Sequence, residues 1–331
     1  MMETVRLGIV GLGWFGGVLA EAARASGLAE VVACFSRSPE TRAAFAEAHR
    51  CRAVGDIDEL VGASDVDGVL VATPHSTHVE IAEQVARAGK HVFVEKPLAL
   101  TVAGVRRVAE AAQSSGVVLQ AGQNRRRQPA NRRIKSMIDS GELGTVLQLE
   151  GMHSASGGHK PELPAWRADP DECPYGGMTA LGVHTVDTFN YFMGPAERVT
   201  AFSRRFTGLR ELDDATSVLV EYGGGQLGSI NTTYFAPPVV TLAVYGTDAA
   251  VWNEEDGSRL FVQARTEPAR TEQPVETIDT IEDELAEFAR CIREGSDPET
   301  GVPEALEVAA VLDGIGRSVE TGCAVDLADV R

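Results

Sequence analysis

The sequence predicts an α/β protein: a doubly wound parallel sheet, then a smaller-element α+β domain on an open, largely antiparallel sheet. Three observations lead there. Short β-branched runs alternate with helical stretches through the first third of the chain, the pattern of βαβ units. After about Gly122 the rhythm changes, and strand candidates follow one another with helices grouped around them. The length, 331 residues, suits two domains at roughly 100–200 residues each. The boundary is placed between residues 122 and 123, giving domains 1–122 and 123–331.

The elements follow in order. Val5–Val10 is a buried-strand run, followed by a helix to about Ser26. Val31–Phe35 is a second strand and Pro39–His49 a helix. Gly68–Ala72 is a third strand, and a helix over Val79–Ala88 is closed by Gly89. His91–Val94 is the next strand. Thr101 caps a helix with Val102, Val105, Val108, Ala109 and Ala112 on one face, closed by Gly116, and Val117–Leu119 follows as a strand. In the second part Pro129–Ser140 is a helix, Thr145–Glu150 a strand, Ser154–Gly177 a Gly- and Pro-rich loop, and Leu181–Met193 a helix ended by Gly194. Strands are expected at Val199–Phe206, Ala215–Tyr222, Gln226–Tyr234 and Val239–Tyr245, with Gly223–Gly225 as a hairpin connection. Thr280 and Asp283 form a capping box for a helix burying Leu285, Phe288, Ala289 and Ile292. A last helix runs from about Pro303 to Val319.

Composition narrows the function. The chain carries 30 Lys and Arg against 48 Asp and Glu, a formal charge of −18, which opposes binding to a nucleic-acid backbone or an anionic membrane face. Five cysteines, scattered and without a CxxC pair, fit a reducing compartment better than a disulfide framework or a zinc site. The uncharged run Leu7–Ala20 is shorter than the ~18 residues of a membrane span. The expectation is a soluble, cytoplasmic protein with no metal.

Gly11-Leu12-Gly13-Trp14-Phe15-Gly16 follows a predicted strand and opens a predicted helix, the context in which GxGxxG binds a dinucleotide. Gly11 allows the tight turn, Gly13 lets backbone approach a pyrophosphate, and Gly16 permits close helix–strand packing. The helix N-terminus supplies N–H donors. No carboxylate stands at the end of the second strand, where one would bind an NAD ribose. Ser36, Arg37 and Ser38 occupy that place and suit a 2′-phosphate, so NADP is favoured over NAD. At the end of another strand Glu95-Lys96-Pro97 places Lys96 toward the crevice where ligands of such sheets sit.

These residues resemble the glucose–fructose oxidoreductase/inositol dehydrogenase (Gfo/Idh/MocA) family. The match runs through Gly11–Gly16, Ala72-Thr73-Pro74, Ala88–His91, Glu95–Ala99, Gly122–Arg126, Ser140–Gly144 and Gly182–Asp187, nearly the whole chain. The resemblance implies reversible hydride transfer between a nicotinamide and a secondary alcohol or ketone of a sugar or cyclitol. It assigns Lys96 to the reacting oxygen, His184 as general base and Asp187 as a substrate-hydroxyl ligand. It places Thr73, Pro74, His78, Glu95, Lys96 and Arg125 (or Arg126) beside the cofactor. Relatives are commonly homodimers or homotetramers built through the open sheet.

The chemistry is self-consistent. Oxidising an alcohol needs a base of near-neutral pKa, which His supplies, and an ammonium that stabilises the developing alkoxide. One departure stands out: many members carry an Asp four residues before the histidine, and here that residue is Ala180. Either Lys96 carries more of the proton transfer or an orienting group comes from elsewhere. Trp166 and Arg167 are candidates for stacking on a sugar and pairing with an anionic substrate, or for anchoring a surface loop. Two other readings use the same fold, a glycosidase working by oxidation, elimination and re-reduction, and a cofactor-binding sensor without turnover.

Overall fold

A computed structural model describes residues 4–331. They form two compact units, one made of the chain up to Gln123 together with Asp279–Leu306, the other of Asn124–Ile278 together with Glu307–Arg331.

In the first unit β1 (Val5–Val10), α1 (Trp14–Ala25), β2 (Ala29–Phe35), α2 (Pro39–His49), β3 (Arg52–Ala53), α3 (Ile57–Gly62), β4 (Gly68–Val71), α4 (His78–Arg87), β5 (His91–Glu95), α5 (Val102–Ser115) and β6 (Leu119–Gly122) alternate. The strands lie in the order β3-β2-β1-β4-β5-β6, and every pair is parallel. Both faces of such a sheet are covered, so its strands read as continuous apolar runs rather than alternating ones. Leu7, Ile9, Leu70, Phe93 and Val94 are fully buried. The order reverses between β1 and β4. The carboxyl ends of β1, β4 and β5 therefore meet at the switch point where ligands bind in doubly wound sheets.

The second unit contains α6 (Pro129–Asp139), β7 (Val146–Ser154), a π-turn (Met178–Gly182) running into α7 (Val183–Met193), β8 (Ala196–Arg204), β9 (Ala215–Tyr222), β10 (Leu227–Thr233), β11 (Val239–Gly246), β12 (Ala249–Glu254), β13 (Arg259–Ala264) and β14 (Thr271–Gln273). Its nine strands run β14-β13-β12-β11-β7-β10-β9-β8-β15, with β15 at Val325–Asp326. Only β7 and β10 pair in parallel; the other neighbours are antiparallel. The expected open sheet is therefore present and longer than the sequence suggested, because β12, β13, β14 and β15 went unread.

Helix α8 (Thr280–Glu294) corrects the division at residue 123. It belongs to the first unit, where Leu285, Phe288 and Ala289 join the core of β1, α1 and β5, and Phe288 meets Phe93 edge-on at 5.8 Å. The apolar stripe of an amphipathic helix is legible in sequence, but the sheet it covers is not. Its cap is also one residue earlier than expected: Asp279 Oδ1 accepts from the Ile281 and Glu282 N–H groups at 2.9 and 3.1 Å. Among the described residues no helix is long and apolar enough to cross a membrane.

Candidate active site

In the first unit the chain leaves β1 through Gly11, whose φ of +96° is open to glycine at little cost. A Cβ there would stand 2.3 Å from the Ala72 carbonyl oxygen, and one at Gly16 would stand 2.2 Å from that of Gly11. Gly13 is different. It caps α1 with no side chain, and a Cβ built on it meets nothing within 4 Å. Open space therefore lies against a helix N-terminus whose first-turn N–H groups have no intrahelical partner. The turn fits a dinucleotide pyrophosphate. Trp14 is 80% exposed and sets its ring edge-on to Phe15 at 5.7 Å.

At the end of β2 the expected phosphate cradle is only partly available. Ser38 Oγ is the cap of α2: it accepts from the Thr41 N–H at 3.1 Å and donates to Glu40 Oε2 at 2.8 Å. Ser38 is thus committed to the helix, and Ser36 Oγ accepts from the Ser38 N–H at 3.3 Å. Arg37 between them is exposed. Glu40, missed in sequence because it sits inside the next helix rather than at the strand end, brings a carboxylate to this group.

β4 and β5 end in two turns that are braced together. His78, fully buried, has Nδ1 2.9 Å from the Pro97 carbonyl oxygen and Nε2 2.9 Å from that of Thr73. Both ring nitrogens are occupied by main chain, which corrects the expectation that His78 contacts cofactor directly. It positions the Thr73-Pro74 turn against the Lys96-Pro97 turn. Thr77 Oγ1 reinforces the first of these, 2.7 Å from the Pro74 carbonyl oxygen. Glu95 is buried, and its Oε2 accepts from the Lys96 N–H at 3.2 Å. Lys96 itself is half-buried.

In the second unit a cleft opens between α7 and the sheet, with Arg125, His153, His184, Thr188 and Asn253 in its walls. His184 lies in the first turn of α7, just after the π-turn, an irregularity that recurs at functional sites. Its ring stacks on that of His153, with centroids 6.3 Å apart and planes at 27°. Both are buried. Ala180 offers no carboxylate, so it is a second imidazole, from β7, that lies beside His184.

Asp187, expected as a substrate-hydroxyl ligand, sits in a buried ion pair. It is 1% exposed, and Arg126 grips both oxygens, Nε to Oδ2 at 2.9 Å and Nη2 to Oδ1 at 2.6 Å. That bidentate pair takes one acceptor position on each oxygen and commits the carboxylate's charge to Arg126. Arg126 in turn lies over the Tyr191 ring at 5.2 Å. Arg125 reaches the cleft and pairs with Asp256. Trp166 packs on the Cys173, Leu212 and Tyr234 cluster, with Arg167 over its ring at 4.6 Å. Neither lines the cleft, so the loop-anchoring role is the one seen. Asn131, Gln128 and Asn253, which sequence reasoning passed over, meet around it. Single amides carry no spacing signal that would have found them.

The description "oxidoreductase family, NAD-binding Rossmann fold" of Gfo/Idh/MocA matches residues 5–123, and its C-terminal domain matches residues 131–252. The chain is 29% identical over 315 residues to 1,5-anhydro-D-fructose reductase of Ensifer adhaerens, covering 92% of this chain and 93% of that protein. It is 27% identical over 329 residues to inositol 2-dehydrogenase of Rhizobium meliloti, covering 96% and 97%. A crystal structure from Desulfitobacterium hafniense, described as an NADPH-dependent oxidoreductase, superposes with a TM-score of 0.93 at 29% identity, covering 100% of this chain and 99% of that one.

Proposed function

The chain belongs to the Gfo/Idh/MocA oxidoreductase family, and from that premise we propose that it oxidises or reduces a secondary alcohol or ketone of a sugar, sugar derivative or cyclitol. The Gly11–Gly16 turn would hold a nicotinamide dinucleotide, which when bound would supply the hydride chemistry. Lys96 holds the reacting oxygen and stabilises its developing negative charge. His184 takes the hydroxyl proton in the oxidative direction, with His153 setting the polarity around its ring. Glu95 and His78 hold Lys96 in place through the main chain on either side of it.

The observation that carries this reading is the open space over Gly13 at the N-terminus of α1, on the strand edge that also presents Lys96. NADP is the favoured cofactor, because Arg37 is the exposed cation at the ribose end, although Glu40 beside Ser38 works against a phosphate there.

The test is a titration of NADH and NADPH followed by an absorbance screen of sugars and cyclitols. NADPH is expected to bind more tightly, with about tenfold of that preference lost in Arg37→Ala, the worth of one charge-assisted contact. Lys96→Ala is expected to lower turnover by roughly 10²–10⁴ while leaving cofactor affinity intact. Preferential NADH binding would reverse the cofactor assignment. Release of a leaving group without accumulation of reduced cofactor would replace net oxidation by the elimination chemistry.

A further inference from the structure

Among the described residues that line the cleft of His153 and His184, Arg125 alone carries a permanent charge. A guanidinium in such a place is ordinarily the group that pairs with a carboxylate or phosphate of the ligand. Here it is already paired, with the Asp256 carboxylate. The two side chains are 21% and 45% exposed, so the pair stands at the rim, within reach of solutes.

Asp256 is held there by the backbone rather than left to find its partner. It lies at the tip of the hairpin joining β12 to β13, where Glu255, Asp256 and Gly257 have left-handed φ values of +52°, +56° and +93°. Two consecutive residues with side chains in that region are strained, and such strain persists only where the surroundings impose it. Three contacts do so. Gln128 Nε2, just before α6, donates to the Asp256 carbonyl oxygen at 2.9 Å and to its Oδ1 at 3.0 Å. Gly257 lies so close to Gln128 that a Cβ would come within 2.8 Å of its side chain. Ser258 Oγ donates to the Glu255 carbonyl oxygen at 2.8 Å and closes the turn. A surface ion pair between two flexible side chains needs none of this.

We propose that Asp256 sets the specificity of the cleft: by neutralising Arg125 it withholds the cation that a sugar acid requires and leaves the site to uncharged polyols. The inference rests on the oxidoreductase reading above, in which Lys96 is reserved for the reacting oxygen. Its consequence is that the same cleft, relieved of one carboxylate charge, accepts an anionic substrate through Arg125. Asparagine keeps the size of the side chain and an acceptor for Gln128, and it tolerates left-handed backbone as aspartate does. Asp256→Asn therefore removes the charge and little else.

The test compares D-glucuronate with D-glucose, and D-gluconate with D-glucitol, on the cofactor-loaded protein. The two acids carry the carboxylate at opposite ends of the carbon chain. The acid-to-neutral ratio of kcat/KM is read, or of saturation-transfer NMR contact where neither member of a pair is turned over. As a ratio it does not depend on the fraction of protein that folds. In at least one pair Asp256→Asn is expected to raise it about tenfold or more, the effect of one freed charge-assisted contact, with the gain shrinking at high salt. Combining Asp256→Asn with Arg125→Gln is expected to abolish the gain. An unchanged ratio in both pairs, a gain that survives in the double variant, or a native protein that prefers the acids overturns the proposal and leaves the oxidoreductase reading standing. Neither turnover of nor contact with any of the four compounds, in native or variant protein, also overturns it. Silence of the native protein toward every neutral sugar and cyclitol of the screen above overturns the oxidoreductase reading as well.

Discussion

The buried ion pair of Arg126 and Asp187 bears on how the Asp187 carboxylate is to be understood. Its side chains are 5% and 1% exposed, so each charge has given up its water for the other. Removing one partner of such a pair leaves the second uncompensated and costs about 3–5 kcal/mol. Asp187→Asn is therefore expected to lower the melting temperature by on the order of 10 °C, and to leave KM of the surviving folded protein nearly unchanged. Thermal unfolding and steady-state kinetics on one preparation check it. A melting temperature within about 2 °C of native, with a raised KM, would return Asp187 to the substrate. The sequence pattern could place Asp187 three residues beyond His184 on one helix, but a helix face has room for either partner. Only the position of Arg126 distinguishes them.

At the scale of elements, β5 is tied to the turn before β6 by His91, whose Nδ1 accepts the Val118 N–H at 3.0 Å. That bond needs an unprotonated Nδ1. Burial also pushes the ring below the usual histidine range, with Asp67 pulling weakly the other way. The folded protein thus takes up this proton less readily than the unfolded chain. The contribution is complete above the unfolded value, about 6.5, and is lost as pH falls through the lowered folded value. Melting curves between pH 8 and pH 5 are expected to show a decline on the acid side that is smaller in His91→Gln. Equal slopes in the two proteins would assign the decline elsewhere. The strand itself was readable because strands buried on both faces are uninterrupted apolar runs, and the same holds for β1, β2 and β4. The capped helix α5 was readable for its Thr101 signal, whereas Ser38 was read as a phosphate ligand rather than as the cap of α2. The hairpins β12–β13–β14 were not, because charged and polar residues such as Asn253, Glu254 and Arg259 interrupt their alternation. Their register is set by the neighbouring strands, as where Tyr245 on β11 meets Trp252 on β12 edge-on at 5.9 Å. Neither the destination of α8 nor the contact of Asn131 with Asn253 has a local signature, since both are made by residues more than a hundred positions apart.

The molecule as a whole carries one large unresolved tension between charge and apolar surface. On β8, β9 and β10 the residues Ala201, Val218, Val220 and Ile230 point inward and are buried. Their alternates Phe202, Leu219 and Leu227 are 63%, 59% and 56% exposed on the opposite face. Pairing registers set Thr200 beside Leu219 and Leu227 beside Glu221, so the three lie on a single face of adjacent strands. Contiguous apolar patches of this kind mark interaction surfaces more often than free ones. A two-fold axis would lay this face on the same face of a second copy, the arrangement expected of a homodimer, or of a homotetramer if a second contact is added. Against this stands the charge of −18 on every copy, which repels a second copy over about 10 Å at 0.1 M salt. Association is therefore expected to strengthen with salt, the reverse of an interface held by ion pairs. Light scattering behind gel filtration should give a multiple of 35.2 kDa at 150 mM salt and a smaller average mass at 20 mM. Phe202→Glu combined with Leu219→Glu should return the mass to that of one chain with turnover per chain and melting behaviour measured alongside. A single-chain mass for the native protein at both salt concentrations would show that this face stays open to water.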